Sequence, residues 1–361
     1  MLIRNTQPLI DDPRPWAFTR GALTAGLRAY TKDPSLVIVD LYEMTIPFRR
    51  ASMGRIRGLN AACDSTDGKK FFRLTVKEPQ GSTRTGTAGA GLREVSFYRN
   101  LAEQLPVRVP RLFASHPNGD WLIMEMLPLE RKPENWASND YLLAIDQLAA
   151  LHDRFWGLGV DLTIFPWLAR PLGSDYAIYI QAATTGVRKL ADKASSDLLT
   201  RDPLLIAMIK RLVEHADKIA SALRAAPATL LHGDYWPGNI NLSIDNDFFV
   251  YDWQQASIGP GVLDMLHFIQ SSQWYFDPLP IAPEELITIY RARIARASHF
   301  HWEDDEWAEL WDYALLWNFL TNWVDMLVNI PTPVLQTQYL HLRSLWLDPV
   351  SAAVNRRLPG I

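Results

Sequence analysis

Carboxylate and amide side chains recur in two short segments of the second half of the chain. Residues 230–242, with the sequence LLHGDYWPGNINL, contain Asp234 and Asn239, and residues 248–254, with the sequence FFVYDWQ, contain Asp252. Apolar residues on either side of a polar loop are typical of short strands. We therefore expect two strands to deliver three oxygen-bearing side chains to one place.

The chemistry that this set of side chains favours is a phosphoryl transfer with Mg²⁺. Mg²⁺ takes one or two carboxylates, keeps several waters and binds substrate phosphates, whereas zinc prefers nitrogen and sulfur ligands. A carboxylate beside the acceptor hydroxyl can orient it and accept its proton, and Asp234 is the candidate. Alone, Asp234 could form a turn and His232 could be a buried, hydrogen-bonded histidine. Their joint spacing indicates a site.

Strand patterns precede this region in the first part of the chain. Residues 36–39 and 71–77 are strand-like, and Asp67-Gly68 is a turn signal at the point where a hairpin would reverse. The pattern predicts a small antiparallel sheet. Residues 81–91 are rich in glycine but lack the Gly-Lys-Ser/Thr ending of a P-loop and a suitably spaced Rossmann acidic residue, so we expect a flexible connector.

The helix predicted at residues 92–101 places Glu94 on the same face as Phe97 and Leu101. A carboxylate on a buried face needs a partner, because an unpaired buried charge is costly. A last strand at residues 121–126 is the predicted boundary between two lobes, residues 1–127 and 128–361. Beyond it the pattern is mostly helical, apart from short strands at residues 228–253.

Composition excludes several classes of partner. The chain has 361 residues, 48% hydrophobic, with a net charge of -4 and a single cysteine, Cys63. No dense Lys/Arg tract is present, so neither nucleic acid nor an anionic membrane surface is an expected partner, and no protein partner is evident. The lone cysteine, and the absence of an apolar run approaching the roughly 20 residues of a spanning helix, predict a cytoplasmic protein.

Residues 230–254 resemble the catalytic loop and metal-binding motif of the aminoglycoside phosphotransferase and choline kinase-like superfamily. They are similar to the branch containing bacterial ecdysteroid-kinase-like proteins, which are relatives of protein kinases. The resemblance implies an α+β, bilobal protein-kinase-like fold, with a small antiparallel-sheet lobe that binds nucleotide and a larger helical lobe. It also implies ATP or GTP and Mg²⁺ as cofactors, and a small hydroxylated acceptor as substrate.

The resemblance implies a role for each matching residue. In the larger lobe Asp234 would orient the hydroxyl and Asn239 and Asp252 would bind Mg²⁺, with support from His232 and Asp264. Residue 254 is Gln where many relatives have Glu.

In the smaller lobe Lys77 would bind the phosphates and Glu94 would be its ion-pair partner. Nucleotide contacts are further expected from the hinge strand and from a poorly defined turn between the first strands; the candidates are Glu125, Met126, Gly58 and Asn60.

Other functions stay open. A catalytically inactive nucleotide-binding scaffold is one alternative, because a fold does not guarantee activity. A protein kinase is disfavoured by His-Gly-Asp in place of His-Arg-Asp and by the lack of an Ala-Pro-Glu segment. For the acceptor, the acidic run at residues 303–306 would suit a cationic amino sugar or simply begin a solvated helix. The tryptophans at residues 302–323 would form core or an apolar, aromatic cleft.

Overall fold

A computed structural model of the protein describes residues 15–46, 54–79, 89–192 and 203–358. The first part begins with helix α1 (Arg20–Thr31) and strands β1 (Val37–Met44), β2 (Arg55–Ser65) and β3 (Gly68–Glu78). Helix α2 (Ala90–Asn100) then precedes strands β4 (Leu112–Ser115) and β5 (Leu122–Glu125). The five strands form one antiparallel sheet in the order β1-β2-β3-β5-β4. The predicted sheet is confirmed; α1, β2 and β4 were not predicted.

The hairpin between β2 and β3 reverses where the sequence signal placed it, shifted by one residue. Ser65 pairs with Gly68, so Thr66 and Asp67 form the turn, and Gly68 has a positive φ of 106°. A glycine adopts this conformation without the steric cost that a Cβ would bring. The turn between β1 and β2 and most of the glycine-rich segment at residues 81–91 lie outside the described residues.

The remainder of the chain is mostly helical, as predicted. Its elements are α3 (Ser138–Arg154), α4 (Tyr176–Asp192), α5 (Pro203–Glu214), α6 (Ala216–Ala225), β6 (Ala228–Leu231), β7 (Ile240–Leu242), β8 (Phe248–Val250), β9 (Ser257–Pro260), α7 (Val262–Phe276), α8 (Pro283–Ser298), α9 (Asp304–Asn318), α10 (Val324–Asn329), α11 (Thr332–Leu342) and α12 (Asp348–Arg357). A π-helical turn, Phe319–Trp323, joins α9 to α10, and a second, Arg343–Leu347, joins α11 to α12. β6 pairs with β9 and β7 with β8, both antiparallel.

Strand β5 faces two hydrophobic cores. Ile123 packs in the core of the sheet and α1, whereas Leu122 and Met124 pack in the larger core that includes the helices. Side chains alternate across a strand, so one strand can serve both faces. The domain boundary after residue 127 remains a prediction. Among the described residues, none of the helices combines the length and apolar character needed to cross a membrane.

Near the C-terminus, most of the tryptophan-rich stretch packs in the core, and the acidic stretch forms the exposed first turn of a helix. Trp302, Trp307 and Trp317 are buried in the helical core. The acidic residues 303–306 are exposed at the start of α9, where Glu306 Oε2 accepts a hydrogen bond from Glu303 N at 3.0 Å. Negative charge is favourable at a helix N-terminus, so this run forms a solvated first turn.

Candidate active site

The loop after β6 is held by a carboxylate from the first turn of α7. Asp264 is 1% exposed and accepts hydrogen bonds from His232 N at 2.7 Å and Gly233 N at 2.9 Å. His152 Nε2 lies 3.3 Å from the same carboxylate, and His152 Nδ1 lies 2.8 Å from the Tyr290 hydroxyl. Burial alone would raise the pKa of Asp264, but these partners hold it below its usual value. Asp264 thus braces the backbone of this loop, and its role in supporting catalysis stays a prediction.

The loop turns sharply at a glycine and is tied to the end of β8. Gly233 has a φ of +81°, and a Cβ there would lie 2.2 Å from the carbonyl oxygen of Gln255. His232 Nε2 lies 2.9 Å from the Tyr251 carbonyl oxygen, and His232 Nδ1 lies 3.2 Å from the amide nitrogen of Asp234. The carbonyl can only accept and the amide can only donate, so His232 is a neutral ring with its proton on Nε2. Burial lowers its pKa, in agreement with that state.

Asp234 projects into the space between the lobes with both carboxylate oxygens engaged. Asn239 Nδ2 donates to Asp234 Oδ2 and to the Asp234 carbonyl, each at 2.9 Å, and His267 Nε2 donates to Asp234 Oδ1 at 2.8 Å. Burial would raise the pKa of Asp234, but the hydrogen bonds from His267 and Asn239 keep it below its usual value. His267 was missed from the sequence. The available signal was its position three residues after Asp264, which puts both on one face of α7.

A buried lysine joins the sheet, α2 and the loop after β8. Lys77 Nζ lies 2.7 Å from Glu94 Oε2 and 2.6 Å from Asp252 Oδ1, and Lys77 and Glu94 are 4% and 0% exposed. Burial opposes the charge on the ammonium, but Asp252 and Glu94 together raise the pKa of Lys77. The expected partner of the Glu94 carboxylate is therefore found. Asp252 itself has left-handed backbone angles, φ 68° and ψ 54°.

The helix that carries Glu94 also holds the backbone beyond Asp252. Arg93 Nη1 donates to the Gln254 carbonyl at 2.7 Å, and Arg93 Nε donates to the Trp167 carbonyl at 3.2 Å. Gln254 is buried, with 4% of the residue exposed. Residue 254 therefore connects to α2 through its backbone carbonyl.

A cleft of about 500 Å³ lies between the sheet and the helices. Asp234, Asn239 and Asp252 line its floor, and its sheet side is lined by Ile56, Thr75, Lys77, Met124, Glu125 and Leu127. Of the predicted nucleotide-binding residues, Lys77, Glu94 and Glu125 are thus brought to the cleft.

Three other predicted nucleotide contacts are not brought to the cleft. Met126 is the neighbour of two lining residues, but its amide donates to the Arg73 carbonyl at 3.2 Å. Gly58 lies inside β2, where a Cβ would meet the Met44 carbonyl oxygen at 2.6 Å, so β1 covers it. Asn60 lies further along β2, opposite Arg73. The sequence segment that suggested a turn is the interior of a strand.

The side chains on the floor of the cleft fit Mg²⁺ rather than a protein-caged metal. Both hydrogen bonds of the Asn239 amide use Nδ2, which leaves Oδ1 as the atom for a cation, and the Asp252 carboxylate is the second oxygen donor. The described residues contain no group of three or more His, Cys, Asp or Glu side chains placed to hold a metal. Two protein oxygens completed by waters and phosphates is the arrangement that Mg²⁺ accepts.

The fold and the site define a kinase-like phosphotransferase. The chain belongs to the phosphotransferase enzyme family, which it matches over residues 61–322. The resemblance predicted from the motifs is confirmed.

Solved structures give the same fold. A Plasmodium vivax ethanolamine kinase is 10% identical, with a TM-score of 0.53 over 87% of this chain and 81% of that one. An aminoglycoside phosphotransferase from Alicyclobacillus acidocaldarius is 15% identical, with a TM-score of 0.46 over 89% and 94% of the two chains. At these identities the likeness, carried by the ethanolamine kinase, concerns the fold alone. No significant match was found among curated protein sequences.

Proposed function

We propose that the protein transfers the γ-phosphoryl group of ATP to a hydroxyl group of a small molecule, with Asp234 as the base. The observation that carries this proposal is the convergence of Asp234 with the Lys77–Glu94–Asp252 cluster in one cleft. Phosphoryl transfer requires a cation that binds the phosphates, oxygen donors that hold Mg²⁺ and a carboxylate that acts on the acceptor. Lys77, the pair Asn239 and Asp252, and Asp234 would supply these three parts.

The nucleotide would occupy the side of the cleft next to the sheet. Ile56, Met124 and Leu127 offer apolar surface for the adenine, and Glu125 belongs to the strand that leads into the connection between the lobes. Lys77, fixed by Glu94, would neutralise the phosphates. Asn239 Oδ1 and Asp252 would hold Mg²⁺, which when bound offsets the negative charge of the β- and γ-phosphates.

Asp234 would act on the acceptor. Its lowered pKa keeps it ionised at neutral pH, so it can accept a hydrogen bond from the hydroxyl and aim the oxygen at the γ-phosphorus. The new bond joins the acceptor oxygen to phosphorus, the bond between phosphorus and the β–γ bridging oxygen breaks, ADP leaves, and the hydroxyl proton passes to Asp234.

The variant Asp234→Asn tests this assignment. We expect acceptor-stimulated, Mg²⁺-dependent ATP consumption to fall by about 10²–10⁴-fold, because the base is lost while shape is kept. Binding of a non-hydrolysable ATP analogue should change little. Asp247→Asn is the control, because that exposed carboxylate pairs with Arg108. A fully active Asp234→Asn variant contradicts the proposal.

A screen of hydroxylated metabolites and antibiotics in the same assay also decides between the two candidate functions. Nucleotide binding without turnover on any acceptor would favour the inactive scaffold. Parallel assays with GTP would decide the nucleotide.

A further inference from the structure

Beyond Asp234 the cleft continues between two helical segments, from which the proposed chemistry uses His267 alone, as the partner of Asp234. Helix α7 contributes His267, Ser271 and Trp274, spaced four and three residues apart on one face. The opposite wall is the continuous helix formed by α9, the first π-helical turn and α10. From it Asn318, Asn322 and Trp323 line the cleft.

The π-helical turn brings these side chains together. In an α-helix residues four apart share a face, whereas a residue five further on points elsewhere. A π-helical turn closes its hydrogen bond over five residues, so residues five apart move towards one face. Phe319–Trp323 is such a turn, and it allows Trp323 to line the same cleft as Asn318. Single π-turns occur often at functional sites.

Asn318 presents an unused hydrogen-bond donor in this wall. Asn318 is 5% exposed, and its Oδ1 accepts a hydrogen bond from Asn322 Nδ2 at 2.5 Å. Because that position accepts a hydrogen bond, it must be the amide oxygen of Asn318, and the other terminal atom must be Nδ2. Within the described residues, Nδ2 of Asn318 is buried and has no hydrogen-bond partner. A buried donor without an acceptor costs about 1–3 kcal/mol, which an oxygen atom of a ligand in the cleft would relieve.

The two tryptophans that line this part of the cleft, Trp274 and Trp323, pack against each other and against further aromatic rings. Trp274 and Trp323 meet edge to face, with centroids 5.2 Å apart. Behind them, Trp274 stacks on His341 at 5.0 Å, and Trp323 packs on Trp346 at 4.1 Å. Rings fixed in this way offer a flat apolar surface that loses little conformational freedom when a ligand binds.

The charge of this part of the cleft argues against a polycation. The lining residues described for α7 and for the helix from α9 to α10 include no carboxylate. Asp312, the acidic side chain buried in α9, pairs instead with Arg356 and Arg357. Asp234 is already engaged by His267 and Asn239. Glu130 lines the same cleft outside these two helical walls. Along the walls themselves, a molecule with several ammonium groups would meet amide, hydroxyl, imidazole and aromatic groups instead of carboxylates, so it would lose water there without ion pairs to offset the cost.

We propose that this half of the cleft binds a neutral alcohol with a flat apolar body and a hydrogen-bond-accepting oxygen. Trp274 and Trp323 pack on the body, Asn318 Nδ2 donates to the oxygen, and the hydroxyl points towards Asp234. The proposal rests on the proposed kinase function, whose acceptor class it specifies. It makes Asn318 a specificity residue and assigns the amino sugars to a disfavoured class.

Equilibrium titration calorimetry tests the proposal on the whole chain, loaded with Mg²⁺ and a non-hydrolysable ATP analogue. The probes are naphthaleneethanol, its ring-methoxy derivative, and streptomycin as the polycation. We expect the methoxy derivative to bind about fivefold more tightly than the parent, the value of one net hydrogen bond. Streptomycin should bind more weakly than both. Because no transfer is needed, lack of turnover would count against the proposed function and leave this result intact.

Two variants that keep the branching and the number of heavy atoms of the Asn318 side chain make the assignment specific. Asn318→Leu should abolish the preference for the methoxy derivative. Asn318→Asp should lower the affinity for the methoxy derivative and raise the affinity for streptomycin. Asn329→Leu, an exposed position one turn beyond the cleft, should retain the preference. Urea denaturation verifies that each variant is folded. The proposal is overturned if streptomycin binds most tightly, if neither alcohol binds at millimolar concentration, or if Asn318→Leu keeps the methoxy preference.

Discussion

The ring of Phe97 lies flat on the indole of Trp253, with centroids 4.0 Å apart and planes inclined by 8°. Phe97 follows Glu94 by three residues on α2, and Trp253 follows Asp252 directly. The stack therefore connects the helix that fixes Lys77 to the loop that carries a predicted metal ligand. The imidazole of His232 lies 4.5 Å from the same indole, which extends the contact to the loop of Asp234.

Phe97→Ala should weaken nucleotide binding as well as the fold. Phe97 is fully buried, so we expect a loss of about 3–5 kcal/mol in the free energy of unfolding. Without this stack, α2 and the loop of Asp252 would no longer be held in their relative positions. The affinity for Mg²⁺ and the ATP analogue, measured by calorimetry, should therefore fall by about tenfold. Leu148→Ala, buried in α3, should lose similar stability and keep its affinity. Equal affinities in the two variants would contradict the coupling.

Lys77→Met separates stability from catalysis. Removal of the ammonium leaves Glu94 buried without its partner, at a cost of about 3–5 kcal/mol in urea denaturation, and should lower kcat/KM by about 10²–10³-fold. Lys77→Met/Glu94→Leu should recover most of the stability, because the buried charge is gone, while activity stays low. Lys69→Met, at an exposed position of β3, is the control. A double variant no more stable than the single one would show that the buried charge is not the cause.

Gly233→Ala should lower both stability and activity, because the added Cβ meets a backbone atom that is absent near Gly157. Both positions have positive φ, +81° and +74°, but a Cβ meets the Gln255 carbonyl at 2.2 Å in the first and open space in the second. We expect Gly157→Ala to cost about 1–2 kcal/mol and to keep activity. Gly233→Ala should cost at least about 3 kcal/mol and displace Asp234. Thermal unfolding and ATP consumption measure the two effects, and equal activity would contradict the prediction.

His267→Leu should shift the pH profile of the reaction. The hydrogen bond from His267 helps to keep the pKa of Asp234 low, so its loss should raise that pKa. Asp234 must be ionised to act, and the acid limb of kcat/KM should therefore move to higher pH. At neutral pH, where Asp234 stays ionised, kcat should fall about tenfold because the carboxylate loses a group that orients it. His301→Leu, an exposed position, should leave the profile unchanged. An unmoved acid limb would mean that His267 only packs against the loop.

The residues on the floor of the cleft could be predicted from the sequence because they lie in two short segments of the chain. Asp234, Asn239 and Asp252 lie in segments whose apolar borders indicate strands, and Glu94 on an apolar helix face required a partner. The structure places these residues together with Lys77. The glycine at position 58 suggested a turn near Gly58 and Asn60, but a glycine inside a strand gives the same signal where a neighbouring strand approaches closely, as β1 does here.

The protein's own sequence thus determined its class, its two kinds of lobe and the residues of the proposed transfer. Only the tertiary structure decided which side chains complete the cleft. His267 meets Asp234 across 33 residues, and Lys77 meets Asp252 across 175. Asn318 and Trp323 line the same wall only because a π-helical turn alters the helical spacing. Such contacts depend on packing between distant elements, which no local pattern in the chain encodes.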